Sequence, residues 1–382
     1  MDFKRLFIAA TVLVVSALSA CGSKDHTDVS EIGNGNTLTN VTVNASVRTT
    51  GQYPESFVLT FANTIEEEHV SPEDFHLVGK AEYWGSDDTR RFEADFESAK
   101  IEGNTLTLVP ADFPEKYFYV KDFEVSCSED PAFCFSNSDV SVVNTPVADD
   151  FETITADGNV SFEYHLFDPG KKEPIPIVIV FHGYGDSNNL LTYRTAVEWA
   201  EPENQAKRPC LVLAPVIDDK TYFSAKGRDD VFRELHDIVD KLISDGKVDP
   251  QRIYVMGNSF GGMSTIEYAE KYPGEVAGAM ALCPALSYST GAMLNLKEMV
   301  DVPVWFAHAL NDNTIPVSNS EKAVAALKKL GAREVHFTEY TDDEMNAAGA
   351  DPSPDATYSY HHVELAVMED DAYMEWMFAQ SR

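Results

Sequence analysis

Continuous apolar runs that alternate with helical patterns constrain the fold of the second half of this chain. The runs are IPIVIVF (175–181), CLVLAPV (210–216), RIYVMG (252–257), VAGAMALC (276–283), VPVWFAHA (302–309) and VHFTEY (335–340). Helical periodicity occupies several of the intervals between them, at 229–245, 260–272 and 318–330. Apolar runs without alternation indicate strands buried on both faces, as in a mostly parallel sheet covered by helices on each side. The sequence therefore predicts an α/β domain over residues 149–382.

A period of two residues marks the preceding part of the chain. Apolar and polar residues alternate at 41–47, 57–61, 106–108 and 140–142, and turn signals such as SPED (71–74) and EGN (102–104) interrupt the pattern. Alternation of this kind places one face of each strand in a core. We expect a small antiparallel β-sandwich over residues 37–148, in front of the α/β domain.

The first twenty residues are typical of a secretory signal peptide. Lys4 and Arg5 precede an apolar stretch, Leu6 to Leu18, that is short for a membrane span. The segment ends in LSAC (18–21), which resembles the lipobox of bacterial lipoproteins, so we expect lipidation of Cys21. The alternative is an ordinary signal peptide cut near Ala20. The polar residues 21–36 would form a tether between this anchor and the folded body, which makes the expected product an exported, membrane-anchored lipoprotein.

The charge balance restricts the possible partners. The chain has 29 Lys and Arg against 63 Asp and Glu, a formal net charge of -34. Such a surface repels phosphate backbones and anionic lipids, which argues against nucleic acid as a partner and leaves the lipid anchor as the expected membrane contact. Among the cysteines, Cys127 and Cys134 bracket a short loop and are expected to form a disulfide in an exported protein. Cys210 and Cys283 are expected to be buried thiols.

One serine follows a predicted strand directly and opens a predicted helix. It is Ser259, in VMGNSFGGMST (255–265). Glycines around a serine at this junction permit a sharp turn that would present the hydroxyl above the sheet edge, as a nucleophile. The Phe260 amide, at the helix N-terminus, would face the same space.

A nucleophilic serine needs a base and an orienting carboxylate, and candidates for both follow in the chain. Asp312 lies in LNDNTIPV (310–317), after a predicted strand, and His361 and His362 lie in YSYHHVELAV (358–367), before a predicted final helix. The order Ser, acid, His is that of α/β hydrolases. An isolated HHVE gives weak support for a metal site because no HExxH or paired CxxC accompanies it, and we expect no metal and no cofactor.

Residues from about 161 to 382 resemble the α/β-hydrolase esterases and predicted peptidases related to feruloyl esterases and polyhydroxybutyrate depolymerases. The resemblance is carried by VFHGYGD (180–186), EPENQAKRPCLVLAP (201–215), DPQRIYVMGNSFGGMS (249–264) and VPVWFAHALNDNTIPV (302–317). It implies an oxyanion hole made by the amides of Tyr184 and Phe260. It also favours His361 over His362 as the base, because a tryptophan about fifteen residues after the histidine is usual in this family and Trp376 has that spacing from His361. Tyr360, however, stands where the family usually has glycine.

The expected function is hydrolysis of carboxylic esters through an acyl-enzyme, with a small-molecule or polysaccharide-linked ester as substrate. A serine peptidase of the prolyl-oligopeptidase type is the alternative, although the sequence offers no propeller domain. A catalytically inactive, glycan-binding or adhesion lipoprotein is the alternative from another class. The β-sandwich resembles the immunoglobulin-like modules of some secreted esterases. The acid-rich segment 341–359 is expected to lack regular structure and to be either a solvated insertion or a rim over the active site.

Overall fold

The structure is a computed structural model that describes residues 31–32, 36–48, 51–65, 70–83, 89–111, 118–158, 160–185, 189–192, 194–350 and 360–382. The predicted signal peptide and Cys21 lie outside these residues. Within them, no helix is both long and apolar enough to cross a bilayer.

Strands alone, with short 3₁₀ turns, build the first part of the chain. The strands are β1 (Glu31–Ile32), β2 (Asn36–Arg48), β3 (Gly51–Phe61), β4 (Phe75–Tyr83), β5 (Thr89–Ala94), β6 (Phe96–Glu102), β7 (Thr105–Pro110), β8 (Phe118–Cys127), β9 (Phe135–Ser136) and β10 (Val140–Asn144). The 3₁₀ turns are Pro72–Asp74, Pro131–Phe133, Asn137–Asp139 and Ala148–Asp150. We call the body formed by β1 to β10 the β-domain.

Two sheets share one core in the β-domain. One sheet has the order β1-β2-β3-β7-β6, with β10 added beside β2, and the other has the order β5-β4-β8-β9. Phe57 of the first sheet meets Phe123 of the second at a ring-centroid distance of 5.2 Å. Burial of Val41, Val43, Leu59 and the other alternating residues against this interface stabilises the pair of sheets.

The β-domain departs from the predicted pattern at both of its ends. β1 and Asn36 lie within the residues assigned to a tether, and the Asn36 side chain donates a hydrogen bond to the Asn63 carbonyl over 2.6 Å. β10 pairs with β2 in parallel, with a register shift between Val140 and Val142. Val142 is consequently exposed instead of buried, because β10 lies at the edge of the sheet.

The second part of the chain alternates strands and helices. Its strands are β11 (Glu152–Asp157), β12 (Ser161–Phe167), β13 (Ile175–Phe181), β14 (Leu211–Pro215), β15 (Val248–Asn258), β16 (Val276–Leu282), β17 (Val304–Ala309) and β18 (Val335–Tyr340). Its helices are α1 (Asn189–Thr192), α2 (Arg194–Ala200), α3 (Pro202–Lys207), α4 (Asp219–Tyr222), α5 (Ala225–Ser244), α6 (Phe260–Lys271), α7 (Thr290–Asn295), α8 (Ser318–Leu330), α9 (Asp342–Ala347), α10 (Glu364–Met368) and α11 (Asp371–Ala379), with 3₁₀ turns at Leu286–Tyr288 and Leu296–Met299.

These strands form a sheet of order β11-β12-β14-β13-β15-β16-β17-β18. Neighbouring strands from β14 to β18 in this order pair in parallel. β11 pairs antiparallel with β12, and β12 pairs antiparallel with β14. Ile177 and Ile179 face a core shared with α5, α6 and α8, whereas Val178 and Val180 face a core shared with α2, α10 and α11. Because both faces of β13 are buried, its apolar run has no alternation, and the predicted α/β fold class is confirmed.

The segment predicted to lack regular structure contains a helix, so that part of the prediction is wrong. α9 occupies Asp342–Ala347. The Thr341 hydroxyl accepts a bond from the Glu344 amide, and the Glu344 carboxylate accepts one from the Thr341 amide. This reciprocal cap starts a helix that composition alone argues against. Residues 351–359, which complete the predicted rim, lie outside the described residues.

No disulfide joins Cys127 and Cys134 in the structure, so the predicted bridge is wrong. The Cys127 amide donates to Cys134 Sγ over 3.3 Å, so that sulfur faces the backbone of the first cysteine. Cys210 and Cys283 are buried thiols as predicted. The strands beside them, β14 and β16, are separated by β13 and β15.

Candidate active site

Ser259 lies between β15 and α6 in a strained backbone conformation. Its φ is 53° and its ψ is -118°, in a region that residues with a side chain rarely adopt. The backbone is held there by hydrogen bonds: its amide donates to the Leu282 carbonyl over 2.9 Å, and its carbonyl accepts from the Met263 and Ala285 amides. Strain of about 1–3 kcal/mol persists only where the surroundings enforce it, and such positions cluster at functional sites.

The glycines around Ser259 are required by close backbone approaches. A Cβ at Gly257 would lie 2.4 Å from the Phe181 carbonyl oxygen, and one at Gly261 would lie 2.1 Å from the same oxygen. A Cβ at Gly262 would lie 2.6 Å from the Leu282 carbonyl oxygen. The glycines therefore let α6 start directly against the ends of β13 and β16, which is the geometry expected of a sharp strand-to-helix turn.

Asp312 and His361, 49 residues apart in sequence, meet at the edge of the sheet. His361 Nδ1 donates to Asp312 Oδ2 over 2.7 Å, and both side chains are buried. Because Nδ1 faces a carboxylate, it carries the proton, and Nε2 presents its lone pair. His362 Nδ1 instead bonds Glu364 Oε1 over 2.8 Å. The structure thus brings the first of the two adjacent histidines to the acid.

Further hydrogen bonds fix the Asp312 carboxylate. Its Oδ1 accepts from the Thr314 and Ile315 amides, each over 2.8 Å, and His308 Nε2 lies 3.2 Å from Oδ2. Burial alone would raise the pKa of Asp312, but the bonds from His308 and His361 hold that pKa well below its ordinary value. The group is therefore a carboxylate at neutral pH, aimed at His361.

His308 helps to hold the Asp312 carboxylate in place. It is fully buried, its Nε2 also donates to the Ile315 carbonyl over 2.8 Å, and its Nδ1 bonds the Ser320 hydroxyl over 2.8 Å. The part played by Ser320 was not predicted, since nothing in the sequence pattern of α8 distinguishes a buried serine that bonds a ring nitrogen from a surface one.

The segment from Leu282 to Ala285 connects the serine to the histidine. Leu282 and Ala285 bond the backbone of Ser259, and the Cys283 thiol donates to the His361 carbonyl over 3.1 Å. Burial raises the pKa of Cys283 well above its ordinary value, so the sulfur remains a thiol. Among the described residues, neither Ser259 Oγ nor His361 Nε2 has a hydrogen-bond partner. The structure therefore brings the acid and the histidine into contact, whereas no hydrogen bond among the described residues joins the Ser259 hydroxyl to either of them.

The loop after β13 is held by a neutral histidine. His182 Nδ1 donates to the Gly183 carbonyl over 2.6 Å, and the Ile217 amide donates to Nε2 over 2.9 Å. Burial lowers the pKa of His182 to about 4, which is consistent with this tautomer. The Tyr222 hydroxyl donates to the His182 carbonyl. The position of Tyr184 is thus determined by buried bonds on the residues that precede it.

Aromatic side chains cover the space next to Ser259. The Phe260 ring contacts the rings of Tyr184, Phe223 and Tyr288 at centroid distances of 5.6, 5.2 and 5.1 Å. Tyr184, Phe223 and Tyr288 are exposed, although large apolar groups usually avoid the surface. The backbone amides of Tyr184 and Phe260 were singled out from the sequence, but this aromatic cluster was not. Phe223 follows the short helix α4 and Tyr288 ends a 3₁₀ turn, and neither element has a periodic signal in the sequence.

Comparisons with known proteins support this fold. Residues 216–349 match the family model described as Phospholipase/Carboxylesterase. A protein of Arabidopsis thaliana named "Probable carboxylesterase SOBER1-like" is 24% identical over 100 residues, which are 26% of this chain and 38% of that protein. The chain thus spans well under two thirds of that relative.

A solved structure extends the likeness to both parts of the chain. The crystal structure of a thermostable esterase superposes with a TM-score of 0.70 at 23% identity, covering 90% of this chain and 100% of that one. Coverage of this extent includes the β-domain as well as the large sheet. Together with the sheet order, this likeness shows that the chain from β11 to Arg382 has the α/β-hydrolase fold.

Proposed function

We propose that this protein is a serine hydrolase that cleaves carboxylic esters. Ser259 would be the nucleophile, His361 its general base and Asp312 the carboxylate that orients the base. The observation that carries this proposal is the 2.7 Å bond between His361 Nδ1 and Asp312 Oδ2, at the same sheet edge as a serine with a φ of 53°. The family match over residues 216–349 supports ester hydrolysis.

In the proposed mechanism, His361 Nε2 takes the proton of the Ser259 hydroxyl as Oγ attacks the ester carbonyl carbon. Asp312 stabilises the imidazolium that forms. His361 then returns this proton to the leaving alkoxide, which departs as an alcohol and leaves Ser259 acylated. Water, deprotonated by the same nitrogen, releases the acid and restores the serine.

The oxyanion would form next to the backbone amides of Tyr184 and Phe260. Donors of this kind are typically worth about 3 kcal/mol of the barrier each. The bonds of His182 to Gly183 and Ile217 would contribute by holding the loop before Tyr184, so that the donor needs little reorganisation when charge develops.

Reaction with a fluorophosphonate probe tests the nucleophile. We expect the folded wild-type protein to be labelled at Ser259, and the Ser259→Ala and His361→Ala variants to lose labelling. His362→Ala, matched in size and neighbourhood, should retain it. Absence of labelling in folded wild-type protein would instead support an inactive, binding lipoprotein. Faster turnover of proline-containing peptide anilides than of aryl acetates would support a peptidase.

We also propose that the chain is exported and lipidated at Cys21. This proposal rests on the charged-then-apolar order of residues 4–18 and on LSAC at 18–21. Incorporation of labelled palmitate by the wild-type protein and its loss in Cys21→Ala would support it. Equal labelling of both would overturn it. The β-domain, as an immunoglobulin-like spacer, would then hold the catalytic domain away from the membrane.

A further inference from the structure

A cleft begins beside the candidate active site and runs along α6. Its lining includes the exposed rings of Phe223 and Tyr288, both of which contact Phe260, the residue after the proposed nucleophile. Its volume is about 540 Å³, and residues of α5, α6 and α7 form its walls. The size is in the range of small-molecule sites, which are concave and combine apolar walls with a few polar groups.

The lining of this cleft has more acidic than basic side chains. The acids in its lining are Asp229, Glu267, Glu270 and Glu298, and the bases are Arg228 and Lys271. Each base already has an acidic partner. Arg228 forms a two-pronged bond to Glu267 over 2.6 and 2.8 Å, and Lys271 bonds Asp229. Glu298 pairs with Lys297, just outside the lining, over 3.3 Å, so Glu270 is the acid of this cleft that has no cation beside it among the described residues, and a positively charged guest is favoured there.

Glu270 is the inner polar group of the cleft. It is only 8% exposed, and its Oε1 is buried without a hydrogen-bond partner within the described residues. Burial, together with the charges of Glu267 and Glu298, raises the pKa of Glu270 to about 9. A buried carboxyl without a partner lowers the stability of the fold, so its presence in the cleft requires an explanation. A cation bound beside Glu270 would stabilise its carboxylate form and so offset this cost.

We propose that this cleft binds an ammonium group at the far end of the substrate, with the exposed Phe223 and Tyr288 at its outer end and Glu270 at its inner end. Aromatic faces and a carboxylate together are a suitable environment for an organic cation. Ten residues of helix separate Phe260 from Glu270, which corresponds to about 15 Å along α6. The expected substrate is therefore an ester of a long chain with a terminal ammonium. Its hydrolysis rests on the proposed function; its binding does not.

Matched esters test the substrate part of this proposal. The first pair is 4-nitrophenyl 12-(trimethylammonio)dodecanoate and its uncharged isostere, the 13,13-dimethyltetradecanoate, each used below its micelle concentration. The second pair is the short 4-(trimethylammonio)butanoate and 5,5-dimethylhexanoate. We expect kcat/KM to favour the long cation about tenfold over its isostere, whereas the short pair should differ little, because its cation cannot reach Glu270.

Two variants test whether Glu270 causes the preference for the long cationic ester. Glu270→Gln should reduce the ratio of kcat/KM for the long cationic ester to kcat/KM for its uncharged isostere to about two or less, whether the absolute rates rise or fall. Glu321→Gln, which removes an exposed acid on α8, should leave the ratio as it is. A long-pair ratio near one in the wild-type protein, or an equal ratio in wild type and Glu270→Gln, would overturn the proposal.

Binding without turnover separates this proposal from the catalytic one. Calorimetric titration of the Ser259→Ala variant with decyltrimethylammonium should give a Kd that rises about tenfold when Glu270→Gln is added and stays the same when Glu321→Gln is added. Equal affinity in all three proteins would refute the cation site even if the enzyme hydrolyses esters. Selective binding in a protein that fails to react with fluorophosphonates would refute only the catalytic assignment.

Discussion

At the scale of single residues, the Asp312 carboxylate determines which nitrogen of His361 carries the proton. Replacing it by asparagine should leave the fold intact, because the amide oxygen can still accept the bonds from Thr314 and Ile315. The side-chain NH₂ would then face His361 and favour the wrong tautomer. We expect kcat for 4-nitrophenyl acetate to fall about 10⁴-fold in Asp312→Asn.

Asp343→Asn is the matched control, since Asp343 is an exposed acid on α9. It should keep wild-type kcat, and circular dichroism should show that both variants are folded. A folded Asp312→Asn protein with wild-type turnover would remove this residue from the mechanism.

Glu270 should make the stability of the protein depend on pH between 4.5 and about 9. In the folded state its pKa is raised from 4.5 to about 9. Between these values the folded chain binds a proton that the unfolded chain has released, so the free energy of unfolding falls as pH rises. Glu270→Gln should therefore gain stability over wild type, and the gain should increase from pH 5 to pH 9 in urea unfolding. A difference that does not change with pH would contradict this linkage.

At the scale of elements, the contact of α6 with β13 depends on Gly261. A Cβ there would lie 2.1 Å from the Phe181 carbonyl oxygen, which is backbone and cannot move aside as a side chain can. Gly261→Ala should therefore shift the start of α6, lower the free energy of unfolding by more than about 2 kcal/mol and abolish labelling of Ser259.

Gly274→Ala gives the comparison, because a Cβ at Gly274 meets nothing within 4 Å and its φ is not positive. It should unfold at nearly the wild-type urea concentration. Equal stability of the two variants would show that the turn tolerates a side chain.

Elements with strong local signals could be predicted from sequence, and those that depend on pairing could not. The limits of β13, β18 and α8 agree with the predicted runs. β15 starts earlier than its apolar run, at Val248, because Val248 pairs with Ile175 across a register shift. α9 was missed because a reciprocal cap at its start outweighs an unfavourable composition.

The same distinction between local signals and contacts made in the folded chain applies to the candidate site. Ser259, Asp312 and His361 could be singled out because each stands next to a strand or helix whose place in the chain is evident, and the structure brings Asp312 and His361 into contact. Which of the two adjacent histidines contacts Asp312 depends on the local path of the backbone. The spacing to Trp376, usual in the family that the chain resembles, favoured His361, whereas the local sequence left both histidines open. The cleft around Glu270 could not be foreseen, since its walls come from three helices that converge only in the folded chain.

At the scale of the whole molecule, Val47 of β2 joins the β-domain to the other domain. It packs with Val147 against the apolar core between the large sheet and α2, α10 and α11. Val47→Asp should bring a charge into this contact and loosen the two domains, at a cost of about 1–2 kcal/mol. We expect faster cleavage by a low-specificity protease at the junction near residues 145–151.

Val142→Asp is the matched control, because Val142 is a 44% exposed valine of the same sheet. Its cleavage rate should equal that of wild type. If both variants are cleaved at the wild-type rate, the Val47 contact does not hold the domains together.

The direction of β2 has a geometric consequence for a chain attached to a bilayer at its N-terminal side. The strand begins at Asn36 and reaches the other domain at Val47, eleven residues further along β2, which spans about 36 Å at the usual rise. With the proposed anchor at Cys21, the lipid-attached end would emerge at the opposite end of β2 from the α/β body. Substrate would then be met about three and a half nanometres from that end, within reach of extended polymers and remote from the lipids themselves.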